Sequence, residues 1–340
     1  MHDVSTQVAL TASNERPLIT FALVAYNQER YIREAIAAAL AQTYSPLEVI
    51  FSDDNSSDGT FAVMQEAAAS YKGPHNVVLN RNLTNLNIGD HINTVGKIAS
   101  GTLIVLAAGD DVSMPGRTTR LVDRWCSLGQ PSAVLYSDFQ AIDTASCPID
   151  LVDETIFRGS FEICDMARRG AGILGATAAV TRDIFCAFPP MDSSVRHEDR
   201  VLPFRAMLLG GEVALVDEKL IQYRVEGGVS RASPTSGREF LYQYLPELSE
   251  RLLPDAAQRL SDVIAILPNN LILRKECSRT IADHQACIEL TKASGFSIER
   301  CVLKWLINGA RPTALLKLYL KLRFVAVFDM YYRRRFSKGT

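Results

Sequence analysis

The chain has 340 residues, of which 47% are apolar and 22% charged, a globular composition long enough for one large core or two ordinary ones. Its seven cysteines include no C-x-x-C and no zinc-spaced Cys/His set, which excludes a disulfide scaffold and a zinc module and fits a reduced compartment. The net charge of −2 hides an asymmetry, because residues 301–340 carry nine Lys/Arg against the single acid Asp329, so a basic end sits on an acidic body.

Residues 1–16 read as a flexible polar tail. They lack the basic start and apolar core of a signal peptide, which sets the expectation of a cytoplasmic protein. Leu18 to Ala25 is a continuous apolar strand turned by Tyr26-Asn27, and Glu29 to Gln42 is helical, with Ile32, Ile36, Ala39 and Leu40 at core spacing. A second strand, Leu47 to Ser52, ends on Asp53-Asp54. Residues 55–60 supply turn and cap chemistry for a helix to about Tyr71. Val77 to Leu79 is a short strand, and Asn87 caps a helix from Ile88 to Ala99. Leu103 to Ala108 runs into Gly109-Asp110-Asp111, Pro115 opens a helix to Leu128, and Ala133 to Ser137 is the next strand. This alternation predicts an α/β fold, a mostly parallel sheet with helices on both faces.

Thr177–Thr181 reads as a strand and Glu198–Leu209 as a helix. Val213–Val216 and Leu220–Arg224 read as an antiparallel pair. Residues 236–332 predict an all-helical C-terminal region, broken near Pro254, Pro268, Gly295 and Pro312. Its last helix, Thr313 to Tyr332, is apolar around most of its circumference. With Lys317, Lys321 and Arg323 inside it and Arg333-Arg334-Arg335 behind it, the segment suits an anionic membrane surface better than a transmembrane span. The alternative is a helix docked on the protein's own surface. The division expected is a tail (1–16), a catalytic domain (17–232), a helical region (233–312) and a basic apolar helix and tail (313–340).

The chemistry concentrates in acids. If the strands ending on Asp53-Asp54 and Asp110-Asp111 are parallel neighbours, four carboxylates converge at the carboxyl edge of one sheet, where open α/β sheets bind ligands. Two like charges ~4 Å apart repel by roughly 4 kcal/mol at an effective dielectric near 20, so such a cluster calls for a cation, a proton or hydrogen-bond donors. Hard oxygen ligands suit Mg²⁺ or Mn²⁺ shared with substrate phosphates.

In chain order the segments Val24-Ala25-Tyr26-Asn27, Asp53-Asp54-Asn55-Ser56-Ser57-Asp58-Gly59-Thr60, Gly109-Asp110-Asp111 and His197-Glu198-Asp199-Arg200 together resemble the family 2 glycosyltransferases, inverting enzymes of the GT-A fold. The resemblance covers about residues 17–225, and Tyr31-Ile32-x-x-Ala35-Ile36 and Asn87-x-Gly89-x-x-x-Asn93 add to it. It implies that Val24 and Tyr26 border a nucleobase and that Asp54 accepts from it. It further implies that Asp110 meets the ribose or a metal, and that Asp111 coordinates Mg²⁺ or Mn²⁺. Asp199 would be the general base and Glu198 an acceptor-binding neighbour. Placing Glu198 beside Asp199 raises the proton affinity of the base. Arg224, in Tyr223-Arg224, would meet the diphosphate. Two positions depart from the family pattern: Ala108 stands where many relatives carry a further acid, and Glu226 stands where a His is common.

The partners implied are a nucleoside-diphosphate sugar, UDP- or dTDP-linked, and a glycan or polyprenyl-linked acceptor in surface polysaccharide assembly. Nucleic acid is not expected, since the basic segment sits on an apolar helix. The run Gly170-Ala171-Gly172-Ile173-Leu174-Gly175 fits G-x-G-x-x-G but lies mid-chain, away from a first strand, and reads as an acceptor-side loop rather than a dinucleotide site. The competing readings are a sugar nucleotidyltransferase, which lacks its Gly-rich phosphate loop here, and a non-catalytic GT-A scaffold subunit of a membrane-associated complex.

Overall fold

The structure, a computed structural model, describes residues 16–150, 158–170, 172–225 and 234–336. All but one residue of the expected N-terminal tail, together with Glu226 and residues 337–340, lie outside the described residues. The elements run β1 (Ile19–Ala25), α1 (Ile32–Leu40), β2 (Leu47–Asp53), α2 (Thr60–Ser70), β3 (Asn76–Arg81), α3 (Asn87–Ile98), β4 (Leu103–Ala108), β5 (Val112–Ser113), α4 (Arg117–Ser127) and β6 (Ala133–Ile142). There follow α5 (Ile163–Arg169), a 3₁₀ turn Gly175–Thr177, β7 (Ala179–Thr181), α6 (Asp183–Ala187), α7 (Glu198–Leu208) and β8 (Glu212–Arg224). The helical remainder is α8 (Gly237–Glu239), a π-turn Phe240–Tyr244, α9 (Leu245–Ile266), α10 (Leu271–Lys292), α11 (Ser297–Ile307), α12 (Pro312–Arg323) and α13 (Val325–Phe336).

The strands form one sheet in the order β3-β2-β1-β4-β7-β6-β8-β5. The β3-β2-β1-β4 half is parallel. β7 then enters antiparallel to both β4 and β6, and β8 runs parallel to β6. Side-chain alternation sorts the strands onto two cores. Ala22, Ile50, Ile104 and Leu106 face one way, against Ile92 and Val95 of α3 and Val201 and Phe204 of α7. Phe21, Leu23, Val49, Phe51 and Val105 face the other, against Ile32 and Ile36 of α1, Met64 of α2 and Trp125 of α4. Val263, Leu273 and Cys277 of α9 and α10 join the first core, so the helical region packs on the α/β body.

Several expectations are corrected. The two acidic pairs do not end neighbouring strands, because β1 lies between β2 and β4; two strand spacings separate them by roughly 10 Å. Residues 213–224 are one strand rather than an antiparallel pair. β8 passes two register shifts opposite Ser137-Asp138-Phe139, and its polar stretch Asp217-Glu218-Lys219 is the exposed side of that irregularity rather than a turn. Pro254 lies inside α9. Asn87 does not cap α3 through its side chain; it adopts φ 60° in the first helical position. The expected terminal helix is two, broken at Phe324 (φ −115°, ψ 43°).

Leu315, Leu318 and Leu322 of α12 are buried against Leu241, Leu290 and Trp305. Leu316, Leu320, Phe324, Val327 and Met330 are exposed. The segment is therefore docked on its own body along one stripe and bare along another. Among the described residues no helix is long and apolar enough to cross a membrane.

Candidate active site

The loops after β1 and β2 are laced together. Asn27 turns at φ 52°, where its short amide side chain tolerates the left-handed region. Its amide nitrogen donates to Ser56 Oγ at 2.9 Å, and its Oδ1 accepts from the Ser57 amide at 2.8 Å. Val24 ends in the sheet, its carbonyl accepting from the Gly109 amide at 3.0 Å, while Tyr26 is exposed beyond the strand. Asp53 is fully buried; its Oδ2 accepts from the Ser56 amide at 2.9 Å and lies 3.4 Å from Arg81 Nε. Asp54 Oδ1 accepts from Asn82 Nδ2 at 2.7 Å and from the Leu86 amide at 2.9 Å. Asp53 Oδ1 is buried with no partner, and Asp54 fixes the loop leading into α3.

The second pair also holds an orphaned oxygen. Asp111 is 5% exposed. Its Oδ1 accepts from the Arg224 amide at 2.9 Å, and its Oδ2 is buried with no partner. Burial first, and then the charge of Asp110, push its carboxyl up to about 8. Burial also raises Asp110, whose neighbours Gln28 and Arg224 hold it down in part. An orphaned carboxylate oxygen whose partner oxygen is tied down, beside a second acid, suits a divalent cation. Among the described residues no group of three or more His, Cys, Asp or Glu forms a metal site; two carboxylates suit a cation that also takes substrate phosphate oxygens.

Arg224 does not offer its guanidinium as expected. Its Nε donates to the Asp110 carbonyl at 3.0 Å, Nη1 to the Asp143 carbonyl, and Nη2 to Ser146 Oγ at 3.0 Å and Glu34 Oε2 at 3.2 Å. The group stacks 4.2 Å from the centroid of the Tyr31 ring. With every guanidinium nitrogen engaged by protein, the side chain clamps the acidic turn to β8 and α1. Arg117, 1% exposed, braces the same turn from beneath. Its Nη1 donates to Ser113 Oγ at 2.9 Å, and its Nη2 to the carbonyls of Leu106 and Ala176, each at 2.8 Å.

Glu198 and Asp199 open α7. Burial raises both carboxyls, Asp199 to about 6, and the charge of Asp199 raises Glu198 further. Asp199 Oδ1 is buried without a partner. Gly175, the last glycine of the mid-chain glycine run, explains itself here: a Cβ at that position would collide with the Glu198 carboxylate and lie 3.5 Å from Asp199 Cβ. Gly175 is thus a cradle for the acidic pair. The phenol of Tyr223 is pushed up to about 12 by burial and then by the charges of Asp111, Asp110 and Asp199. The next residue, Arg224, bonds Asp111 through its amide, and Tyr223 packs with Leu174 and Ala176, which flank the Gly175 that abuts Glu198, so the two acidic sites share one region of the molecule.

Distant residues hold the lead-in to α7. Asn93 donates through Nδ2 to the Met191 carbonyl at 2.8 Å and accepts from the Met191 amide at 2.9 Å. Gly89 permits the close approach of Val195, 3.1 Å from where a Cβ would stand. From α9, the fully buried Asp255 accepts from the amides of Arg196 and His197 at 3.0 and 3.3 Å and meets His197 Nδ1 at 2.7 Å. His197 is thus part of a brace.

Residues 20–144 match the sequence model of the Glycosyl transferase family 2. That segment is similar to the family 2 glycosyltransferases. EpsE of Bacillus subtilis is 34% identical over 109 residues, covering 32% of this chain and 38% of EpsE. An uncharacterized Mycobacterium tuberculosis protein is 29% identical over 233 residues, 64% of this chain and 62% of that protein. The chain thus spans less than two thirds of the length of these relatives. The Staphylococcus aureus TarS 1–349 structure aligns over 90% of this chain and 91% of its own at a TM-score of 0.54 and 16% identity, which establishes a GT-A-like α/β fold followed by a helical region.

Proposed function

We propose that the protein is an inverting glycosyltransferase that moves one sugar from a nucleoside-diphosphate donor to a hydroxyl of a glycan or lipid-linked acceptor. One observation carries this: where the chain resembles family 2 glycosyltransferases, Asp111 and Asp199 each keep a buried carboxylate oxygen with no hydrogen-bond partner. Asp199 takes the proton of the acceptor hydroxyl, its raised carboxyl matching a base that works near neutral pH. The acceptor oxygen bonds to the anomeric carbon as the carbon–oxygen bond to the diphosphate breaks, and the electron pair leaves on the diphosphate. Asp111, with Asp110, would hold Mg²⁺ or Mn²⁺, which supplies Lewis-acid stabilisation of the departing charge when bound. Val24, Tyr26 and Asp54 border the base of the nucleotide, and Glu198 binds the acceptor. Arg224 serves by fixing the acidic turn rather than by touching phosphate.

A uridine nucleotide is the donor we favour, since the fold relative TarS is known in complex with UDP-GlcNAc. A panel of nucleoside-diphosphate sugars screened by thermal shift with Mn²⁺ tests the reading, because a ligand that binds only the native state raises its melting temperature. A uridine or thymidine diphosphate sugar should raise it; no shift with any donor would reject the assignment. We also propose that the bare stripe Leu316, Leu320, Phe324, Val327 and Met330, with exposed Arg334 behind it, rests on the cytoplasmic face of an anionic membrane. Apolar burial and basic attraction there act together. Leu320→Glu with Phe324→Glu should release the protein from phosphatidylglycerol vesicles without unfolding it, and undiminished pelleting would refute this contact.

A further inference from the structure

α3 and α7 both begin at the carboxyl edge of the sheet. α3 leads into β4, which is parallel to β1, and α7 leads into β8, which is parallel to β6. β6 shares the direction of β4, since β7 is antiparallel to both. A helix that feeds a strand at its amino edge descends from the carboxyl edge. Asn87 and Glu198 thus open their helices on the side where β2 ends on Asp53 and β4 leads into Asp110-Asp111. Both helices pack on one face of the sheet, with Ile92 and Val95 of α3 in the same core as Val201 and Phe204 of α7.

Arg196 spans the gap between the two helix starts. Its amide is held by Asp255 at 3.0 Å, and its Nη1 donates to Asn87 Oδ1 at 3.1 Å. Asn87 follows Leu86, whose amide donates to Asp54 at 2.9 Å, while Arg196 itself stands just ahead of Glu198 and Asp199. The residue is exposed. Among the described residues no carboxylate pairs with it and only Asn87 accepts from its guanidinium. The edge formed by Nε and Nη2 is open, and that edge is the fork that donates two parallel hydrogen bonds to one phosphate.

Other arginines near this edge are spent on protein. Arg81 lies 3.4 Å from Asp53 and donates to the Ser56 carbonyl at 2.9 Å. Arg224 clamps the acidic turn, and Arg200 packs on Gly170 and donates to the Arg169 carbonyl at 2.6 Å. A donor with its base at Asp54 and its leaving group at Asp111 lies across the ends of β2, β1 and β4, two strand spacings or roughly 10 Å. Arg196 borders that span, from the loop that Asp54 holds to the helix that carries Asp199. The part of a sugar nucleotide that falls between its base and its anomeric carbon is the diphosphate.

We propose that Arg196 binds the diphosphate of the donor through its open fork, with Asn87 holding the third nitrogen in place. The assignment rests on the transfer reading above and names the protein cation of that same site. A divalent cation on Asp110 and Asp111 is already matched by their charges, so the diphosphate calls for a further positive group. The need grows as the leaving group takes up the electron pair.

Calorimetric titration of the full chain in saturating Mn²⁺, with UDP and with uridine, tests this. Arg196→Met keeps an apolar stem at an exposed position and should leave the melting temperature unchanged. It should weaken UDP about tenfold or more, the worth of a hydrogen bond to a charged group. Uridine, and Mn²⁺ titrated alone, should bind as they do to the wild type. Arg196→Lys should recover part of the loss, since an ammonium keeps the charge and not the fork. Wild-type UDP affinity in Arg196→Met would overturn the proposal and leave the transfer reading standing. Equal losses for UDP and uridine would also overturn it, because a residue that only props the Asp54 loop weakens both. UDP failing to bind the wild-type protein would overturn the uridine-donor reading and this proposal together.

Discussion

Replacing Asp255 by alanine tests whether α9 builds the catalytic end of α7. The substitution removes the acceptor of the Arg196 and His197 amides and of His197 Nδ1. Each donor left buried and unpaired costs about 1–3 kcal/mol. Because water enters the vacated space, a loss of about 3–5 kcal/mol is expected, a large fraction of the roughly 5–15 kcal/mol that stabilises a domain. Urea unfolding measures it. Asp255→Asn separates charge from shape. It keeps one acceptor oxygen for the amides, so stability falls by less, but the negative charge that raises both Glu198 and Asp199 is gone. The Asp199 carboxyl then drops, and the acidic limb of kcat/KM moves to lower pH. An Asp255→Ala protein within 1 kcal/mol of the wild type, with the pH profile of Asp255→Asn unmoved, would refute the reasoning (the threshold being the usual net worth of one hydrogen bond, about 1 kcal/mol).

Other outcomes follow from the same geometry. Gly175→Ala pushes the Glu198 carboxylate from its cradle and should lower turnover roughly 10²-fold, as ~1 Å displacements in a site do, while donor affinity stays within a few-fold; steady-state kinetics decide. Asp199 acts ionised and its carboxyl lies near 6, so activity should be present above that pH and fall as pH drops through it, read from a kcat/KM profile. Asp111 near 8 must lose its proton to hold a cation, so Mn²⁺ affinity should rise with pH up to about 8. Asp111→Asn should weaken Mn²⁺ tenfold or more, or about 1.4 kcal/mol, by calorimetry; equal affinity at pH 6 and 8 would contradict this.

The strands β1, β2 and β4 were legible because sheets covered on both faces demand continuous apolar runs, and the acids were legible because carboxylate pairs at strand ends are chemically conspicuous. Partnership was not. Asp255 and His197 are 58 residues apart, and Asn93 and Met191 are 98 apart, so nothing local marks either brace. Arg224 looked like a phosphate ligand by residue type, and the four protein acceptors of its guanidinium, from α1, the acidic turn and residues 143–146, are not legible from it. The β8 irregularity mimics a turn because Asp217-Glu218-Lys219 are polar in either case. The glycine run imitated a cofactor motif, and only the Glu198 carboxylate against Gly175 reveals its purpose.

Release of nucleoside diphosphate from the donor found in the thermal screen, followed in wild type and Asp199→Asn with acceptor present, tests the central claim most directly. General-base loss predicts a turnover drop on the order of 10²–10⁴ with donor affinity within a few-fold. Turnover equal to the wild type in a folded Asp199→Asn protein would contradict the account.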